Sequence, residues 1–216
     1  MPAALAAVLC AGCATPVPFK EIERVPVAGM DPEKVRRAFA EAIPNRCKVA
    51  NTAVFSMWGR QQTGIGYASL DADARAFSVT CMNPIGVKLF DLKGDDESIS
   101  CRLAVAGVER KDDFARAAAA DVRDIYFDLA PGPNARVRKT RDSIVFRETR
   151  GEAGTEYVFG GSAGVLVEKR MGSRRRVRYF EYVERAGKLF PRGIILDDDR
   201  YGYRLTIRLK EILEND

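Results

Sequence analysis

The sequence predicts a mainly β protein of α+β type: one large, curved antiparallel sheet with two helices packed on its concave face. Three observations carry this. Apolar residues alternate with period two through most of 48–103 and 136–211, the spacing of half-buried strands. Only two stretches, 32–43 and 111–129, show the 3.6-residue spacing of an amphipathic helix. Helix, strand meander, helix and a second run of five or six strands is not the alternation of a doubly wound parallel sheet. So many strands with so few helices to cover them favour a sheet that curls.

The first residues are apolar or small up to Gly12, too short a run to span a bilayer. They have the character of a signal-peptide h-region and cleavage site, which gives a leader over 1–12. Leu9-Cys10-Ala11-Gly12-Cys13 resembles a bacterial lipobox, in which Cys13 is the residue acylated after cleavage. Residues 13–30 contain Pro16, Pro18 and Pro26 without periodicity and read as a lipidated tether. One domain follows over 31–216.

That domain opens with Asp31-Pro32-Glu33, a side-chain cap, a proline at the first helical position and an acid in the first turn. Val35, Ala38, Phe39, Ala42 and Ile43 form one apolar stripe, and Pro44 ends the helix. Strands are expected over 48–59, 64–70, 76–82, 87–92 and 98–103. The second helix carries Phe114, Ala118, Val122, Ile125 and Leu129 on one face, with Asp112 or Asp113 as its cap and 131–134 as its stop. Strands over 136–147, 155–159, 165–171, 176–184, 194–196 and 203–211 complete the chain. Turns are expected at 151–154, 172–174, 186–187 and 197–199.

A length of 216 residues fits one domain, 46% hydrophobic content is ample for a core, and 30% charged residues keep the surface wet. The net charge of +5 suits anionic lipid or an acidic partner and does not single out nucleic acid. The chain has no histidine, which removes Ser-His and Cys-His couples and most zinc sites. Acylation of Cys13 would leave Cys47, Cys81 and Cys101, enough for at most one disulfide.

Other motifs carry little chemistry. Gly160-Gly161-Ser162-Ala163-Gly164 matches a nucleophile elbow, but strands flank it and no histidine exists to serve it, so it reads as a glycine-rich hairpin. Arg174-Arg175-Arg176 with Arg178 reads as a solvated hairpin and a charged edge strand, or as a contact for lipid headgroups or an acidic partner. Asp197-Asp198-Asp199 reads as a turn, with a cation site as the other possibility. Asp121 and Asp124 are the paired carboxylates an enzyme could use; on a helix surface they read as solvent-facing acids. No cofactor or metal is implied, and the protein is expected not to be an enzyme.

The stretch 61–103 is the centre of the reading. Two strands are joined by Asn83-Pro84-Ile85-Gly86, where Pro84 fixes φ and Gly86 accepts a positive φ. Ile85 is the odd residue, since a large β-branched apolar side chain does not suit a wet turn. It either folds back onto the core or meets lipid or a partner. This turn, the strand after it, the N-terminal Cys13 and the C-terminal run from Tyr201-Gly202-Tyr203 to Lys210-Glu211 resemble the LolA/LolB group of periplasmic lipoprotein carriers and outer-membrane receptors, and most of all uncharacterised LolB-like outer-membrane lipoproteins. The resemblance implies an open half-barrel with a helical lid, acyl chains held in an apolar cavity, and a lipid-anchored protein on the periplasmic face of the bacterial outer membrane. It also implies that Pro84, Ile85 and Gly86 form a membrane- or partner-contact turn. Phe39, Phe55, Met57, Phe77, Val79, Leu89, Phe114, Val122 and Ile125 are the expected cavity lining. The function expected is binding of lipid or lipoprotein acyl chains for transport or membrane insertion; the alternative is a non-enzymatic envelope scaffold that grips a protein partner.

Overall fold

The computed structural model describes residues 17–103, 111–149 and 154–213. A first helix, α1 (Pro32–Ala42), leads into β1 (Arg46–Met57), β2 (Arg60–Asp71), β3 (Ala76–Met82), β4 (Lys88–Gly94) and β5 (Ile99–Leu103). Helix α2 (Lys111–Tyr126) follows. The chain then runs through β6 (Arg136–Lys139), β7 (Ser143–Glu148), β8 (Thr155–Gly160), β9 (Val165–Met171), β10 (Arg175–Arg185), β11 (Lys188–Asp198) and β12 (Tyr203–Leu213).

All twelve strands join one antiparallel sheet in the order β5-β4-β3-β2-β1-β12-β11-β10-β9-β8-β7-β6. Each strand pairs with its sequence neighbour except where α2 intervenes, and the first strand pairs with the last. The sheet is therefore open, with β5 and β6 at its edges, and α2 carries the chain from one edge to the other. The period-two pattern located every strand, with three differences. The stretch 136–147 is two strands, because Thr140 turns the chain by accepting from the Ser143 backbone N–H. Strand β11 runs through 188–198 rather than 194–196. Asp197 and Asp198 belong to it, and the turn lies at 199–202. Strand β10 lies between β9 and β11 and is not an edge.

At the first helix, the Asp31 carboxylate accepts from the Glu33 and Lys34 backbone N–H groups, as its sequence signature implies. Phe39 is the buried residue of its stripe, packing edge-on against Phe159 and Tyr182, while Ala38 faces solvent. On α2, Ala115, Ala119, Val122 and Ile125 form the buried stripe; Phe114 and Ala118 are half-buried, and Asp112 and Asp113 lie in the first turn rather than at a cap. The face of the sheet that α2 meets is here called the inner face. Its side chains fall into two clusters. One joins Phe39 and Ile125 to Phe159, Leu166, Tyr179 and Ile194; the other joins Ala119 and Val122 to Cys47, Val49, Leu70, Phe77 and Leu92.

Residues 17–30, expected as part of a tether, are instead packed on the domain. Phe19 stacks on Phe180 across the outer face, 5.4 Å between centroids, and lies under the Arg208 guanidinium at 4.5 Å. It sits over Gly193, where any Cβ would come within 2.4 Å of the ring, so only glycine admits the strap. Val27 is fully buried among the inner-face residues, and its N–H donates to Arg141 O. Leader residues 1–12 and Cys13 lie outside the described residues.

The outer face also explains much of the arginine run. Asp197, 5% exposed, accepts from Arg204 at 2.6 Å and from Arg176 and Arg178 at 3.2 Å each. Burial pushes its carboxyl up, but the three guanidiniums more than offset this and hold it below the usual carboxylate range. A carboxyl with a depressed folded pKa contributes stability above its unfolded pKa of about 3.9 and loses that contribution as pH falls through the folded value. Asp197→Asn should therefore lower stability at neutral pH and flatten the acid limb of a stability–pH curve measured by urea unfolding. An unchanged acid limb would mean that Asp197 contributes nothing through ionisation.

Candidate functional site

The inner face of β1–β4 is closed at one end and open at the other. Toward the β2–β3 and β4–β5 turns, Cys47, Val49, Ala68, Leu70, Phe77 and Leu92 are all buried. Toward the other end, the register pairs Asn51 and Ala53 of β1 with Gly66 and Gly64 of β2, and Phe55 and Met57 with Gln62 and Arg60, which leave a polar rim at the tip; Val79 and Cys81 of β3, Phe90 of β4, and Tyr203 and Leu205 of β12 continue the same face. Most of these are only half-buried, as are Phe114 and Ala118 of α2 opposite. The result is an apolar trough along the sheet. Phe55 packs on Tyr203 at 5.3 Å and Phe114 on Phe90 at 5.2 Å. Its floor includes Gly66, where a side chain would meet nothing within 4 Å.

Helix α2 is fixed over this face by polar contacts. Lys169 is 4% exposed, and its Nζ donates to Phe127 O at 2.9 Å and Asp124 O at 3.2 Å. The Tyr179 hydroxyl donates to Ile125 O at 3.0 Å. These contacts satisfy carbonyls that the helix C-terminus cannot satisfy itself and place a cation at the negative end of its dipole. Burial pulls the Lys169 ammonium below its ordinary pKa. A turn and a half back along α2, Arg175 binds Asp121, Asp124 and Asp198 at 2.6 Å each and Tyr203 Oη at 2.9 Å. Asp121 and Asp124 are thus part-buried ion-pair partners and not the solvent-facing acids expected of a helix surface, because α2 turns that side to the sheet. Burial pushes the Asp121 carboxyl up, against the pull of its hydrogen bonds from Tyr203 and Arg175. Asp198 also accepts from the Arg200 and Tyr201 backbone N–H groups and so builds the β11–β12 turn. Among the described residues no acidic or cysteine cluster is arranged to hold a metal ion, and Cys47, Cys81 and Cys101 are free thiols. Burial pushes the Cys47 thiol up to about 11, far from a nucleophile's range.

The expected lining residues divide between these regions. Phe39, Phe77, Val122 and Ile125 are buried core. Phe39 and Ile125 border a small, partly open cavity of about 50 Å³, together with Cys47, Val49, Tyr126 and Phe190. Such a space holds a few waters at most, against the ~300–1,000 Å³ of a ligand pocket. Phe55, Met57, Val79 and Phe114 line the trough. Leu89 is the extra residue of a β-bulge opposite Cys81 and Met82 and is half-buried. Alternation alone did not bring out Gly66, Phe90, Tyr203 and Leu205, because their shared position depends on strand order.

In the β3–β4 turn, the Asn83 carboxamide oxygen accepts from the Ile85 and Val87 backbone N–H groups, at 3.1 and 2.9 Å, and Gly86 has φ +85°. The turn needs Asn83 and Gly86, and it points Ile85 outward at 83% exposure. Of the two readings of Ile85, the structure excludes the core one.

No protein-family model matches the chain, and no curated protein matches it in sequence. Solved structures do match its shape. A LolA superfamily protein from Nitrosomonas europaea superposes with a TM-score of 0.56 at 8% identity, covering 85% of this chain and 93% of its own. The fold is LolA-like. A DUF1329 family protein from Desulfovibrio piger gives a TM-score of 0.52 at 8% identity, over 88% of this chain and 94% of that one. An outer membrane lipoprotein-sorting protein domain from Vibrio parahaemolyticus gives 0.50 at 6%, over 83% and 90%. At such identities the LolA-like likeness is one of architecture, and the residues of the trough are this chain's own.

The clamp on α2 is testable. Arg175→Met would leave Asp121, Asp124 and Asp198 uncompensated in a part-buried site. It should cost roughly 3–5 kcal/mol by urea unfolding, the range for removing one partner of a buried ion pair. Adding Asp121→Asn and Asp124→Asn should recover part of that loss. If Arg175→Met costs less than about 1 kcal/mol, α2 is not held by this network.

Proposed function

We propose that the protein is a lipid-anchored envelope protein that holds acyl chains, of a lipid or a lipoprotein, in the trough between α2 and β1–β4, and acts by binding and transfer without covalent chemistry. The observation that carries this is the contrast within one face: a sealed half, and a half lined by Phe55, Met57, Val79, Phe90 and Phe114 that is left half-open over Gly66, with Gln62 and Arg60 at its rim. An apolar surface kept open on a LolA-like sheet suits a flexible apolar ligand. A solved structure of similar shape is described as an outer membrane lipoprotein-sorting domain, which supports the same class. On this reading Cys13 carries the lipid anchor, the domain works at the periplasmic face of the outer membrane, and Pro84, Ile85 and Gly86 form a contact turn. The second reading, a scaffold that grips a protein partner, draws support from the small size, about 50 Å³, of the cavity beside Phe39 and Ile125.

Gly66 separates the two. Its φ lies outside the left-handed region and its Cβ direction is empty, so Gly66→Leu should fold normally, with stability unchanged or up by about 0.5–1 kcal/mol from relief of strand glycine entropy. A fluorescent fatty acid should bind the wild-type chain saturably, be displaced by unlabelled acyl chains, and bind Gly66→Leu at least about tenfold more weakly, ~1.4 kcal/mol. Absence of saturable binding to the wild type would favour the scaffold.

The anchor is tested separately. Expressed in a Gram-negative host, the wild-type chain should fractionate with membranes, and Cys13→Ser should be released or remain unprocessed. Equal solubility and processing of the two would refute lipidation.

A further inference from the structure

Four successive hairpin turns lie side by side along one end of the sheet, and strand direction places them there. They are β9–β10 (172–174), β11–β12 (199–202), β1–β2 (58–59) and β3–β4 (83–87). Adjacent hairpins are two strands apart, ~10 Å, so the row is ~30 Å long. Its tips hold Trp58 (82% exposed), Ile85, Val87 and Tyr201, four of the most exposed large apolar side chains among the described residues. Turn chemistry does not ask for them. Trp58-Gly59 is a two-residue loop with positive φ at both positions, +49° and +76°, a geometry that favours Asn-Gly and disfavours a bulky residue. Trp58 lies alongside the neighbouring turn, with its indole Nε1 3.5 Å from where a Cβ on Gly202 would stand.

Charge at this end is mostly positive. Arg60, Arg174 and Arg200 are exposed, Arg200 lying 5.2 Å from the Tyr201 ring centroid, and Lys88 is paired with Asp91 at 2.7 Å; Asp199 is the acid among them. The turns at the opposite end of β2–β5 carry Asp71, Asp73, Asp95, Asp96 and Glu97, answered there by Arg46 and Arg75. A negatively charged surface would draw the first end toward itself and repel these two acidic hairpins; the β10–β11 and β6–β7 turns at that same end carry Arg185, Lys188, Lys139 and Arg141.

We propose that this row of turns is a docking surface for an anionic phospholipid bilayer. Trp58 and Tyr201 sit at headgroup depth, where amphipathic rings are favoured, Ile85 and Val87 enter the acyl boundary, and Arg60, Arg174 and Arg200 meet the phosphates. The proposal rests on the lipid-handling reading above, and the proposed anchor agrees with it. Val17 lies four steps along the chain from Cys13, a reach of at most ~14 Å. The strap leaves the outer face beside β12, where Arg208 donates to Pro18 O. From Arg208 to the turn at Tyr203 is five residues of strand, ~17 Å. The fully extended tether is thus ~3 Å shorter than that stretch of strand, so lipid and turns share one bilayer only with the tether extended and the lipid headgroup spanning the difference.

Trp58 is the sole tryptophan, so its emission reports on this surface alone. The test uses the full chain carrying Cys13→Ser, mixed with phosphatidylcholine vesicles with and without phosphatidylglycerol. Anionic vesicles should shift Trp58 emission to the blue and sediment the protein, and rising salt should weaken both effects. Arg60→Gln with Arg200→Gln should weaken binding about 25-fold at low salt, about fivefold per cation. Ile85→Glu should weaken it too, with the urea midpoint unchanged. The Gly66→Leu chain, blocked for fatty acid, should still dock, and this separates failure of the trough from failure of the surface. Emission unmoved by any vesicle, as for a surface built to bind protein, would overturn the proposal. So would equal binding to neutral vesicles, or loss of docking in Gly66→Leu, which would trace the signal to acyl chains taken up in the trough.

Discussion

The arrangement depends on the seating of α2. An amphipathic helix laid on a sheet leaves its last carbonyls without partners, and burying them unsatisfied would cost about as much as burying its apolar stripe gains. Here the sheet supplies the donors: the Lys169 ammonium and the Tyr179 hydroxyl reach Asp124 O, Ile125 O and Phe127 O. Lys169 in turn is tolerable in the interior because those carbonyls and the helix dipole receive its charge. The ion pairs of Arg175 with Asp121 and Asp124 then fix the helix's rotation, since only one face can present both acids to β10.

With the C-terminal half of α2 held this way, the two ends of the inner face have different fates. Phe127 packs on Phe77 and seals one end. Toward the other, the helix offers only Phe114, Ala118 and smaller side chains to a floor that contains two glycines, and the apolar surface stays half-exposed. A LolA-like sheet is thus both a packed core and an open trough, and the boundary is set by side-chain size on α2 and β2. A fully packed interior would be more stable; the half left open is where binding can occur.

The outer face is built on different physics. Asp197 gathers three arginines, and Phe19 fills the groove over Gly193, so the strap 17–30 is part of the folded domain and not a loose leash. This shortens whatever joins an N-terminal anchor to the sheet. It also gives the molecule a defined orientation relative to any surface that the anchor and the hairpin tips share.

The sequence by itself determined the elements and most of their boundaries. Asp31-Pro32-Glu33, the period-two runs and the Asn83-Pro84-Ile85-Gly86 turn are local signals, governed by backbone conformation and nearest-neighbour hydrogen bonds. Ile85 could be singled out from its turn alone, and so could Phe55, Met57, Val79 and Phe114 as apolar positions of their elements. What local signals lack is strand order and the identity of the opposing surface. Arg175 is one residue of a basic run until β10 is placed inside the sheet with α2 over it; Asp121 and Asp124 are solvent acids until the helix turns them inward. Gly66 is an unremarked strand glycine until its neighbours, contributed by residues far away in the chain, leave the space above it empty. Trp58, Ile85 and Tyr201 form one row only because antiparallel pairing brings their three turns to the same end of the sheet. Burial, ion pairing and the open trough depend on contacts between residues distant in sequence, and those were decided by the tertiary structure.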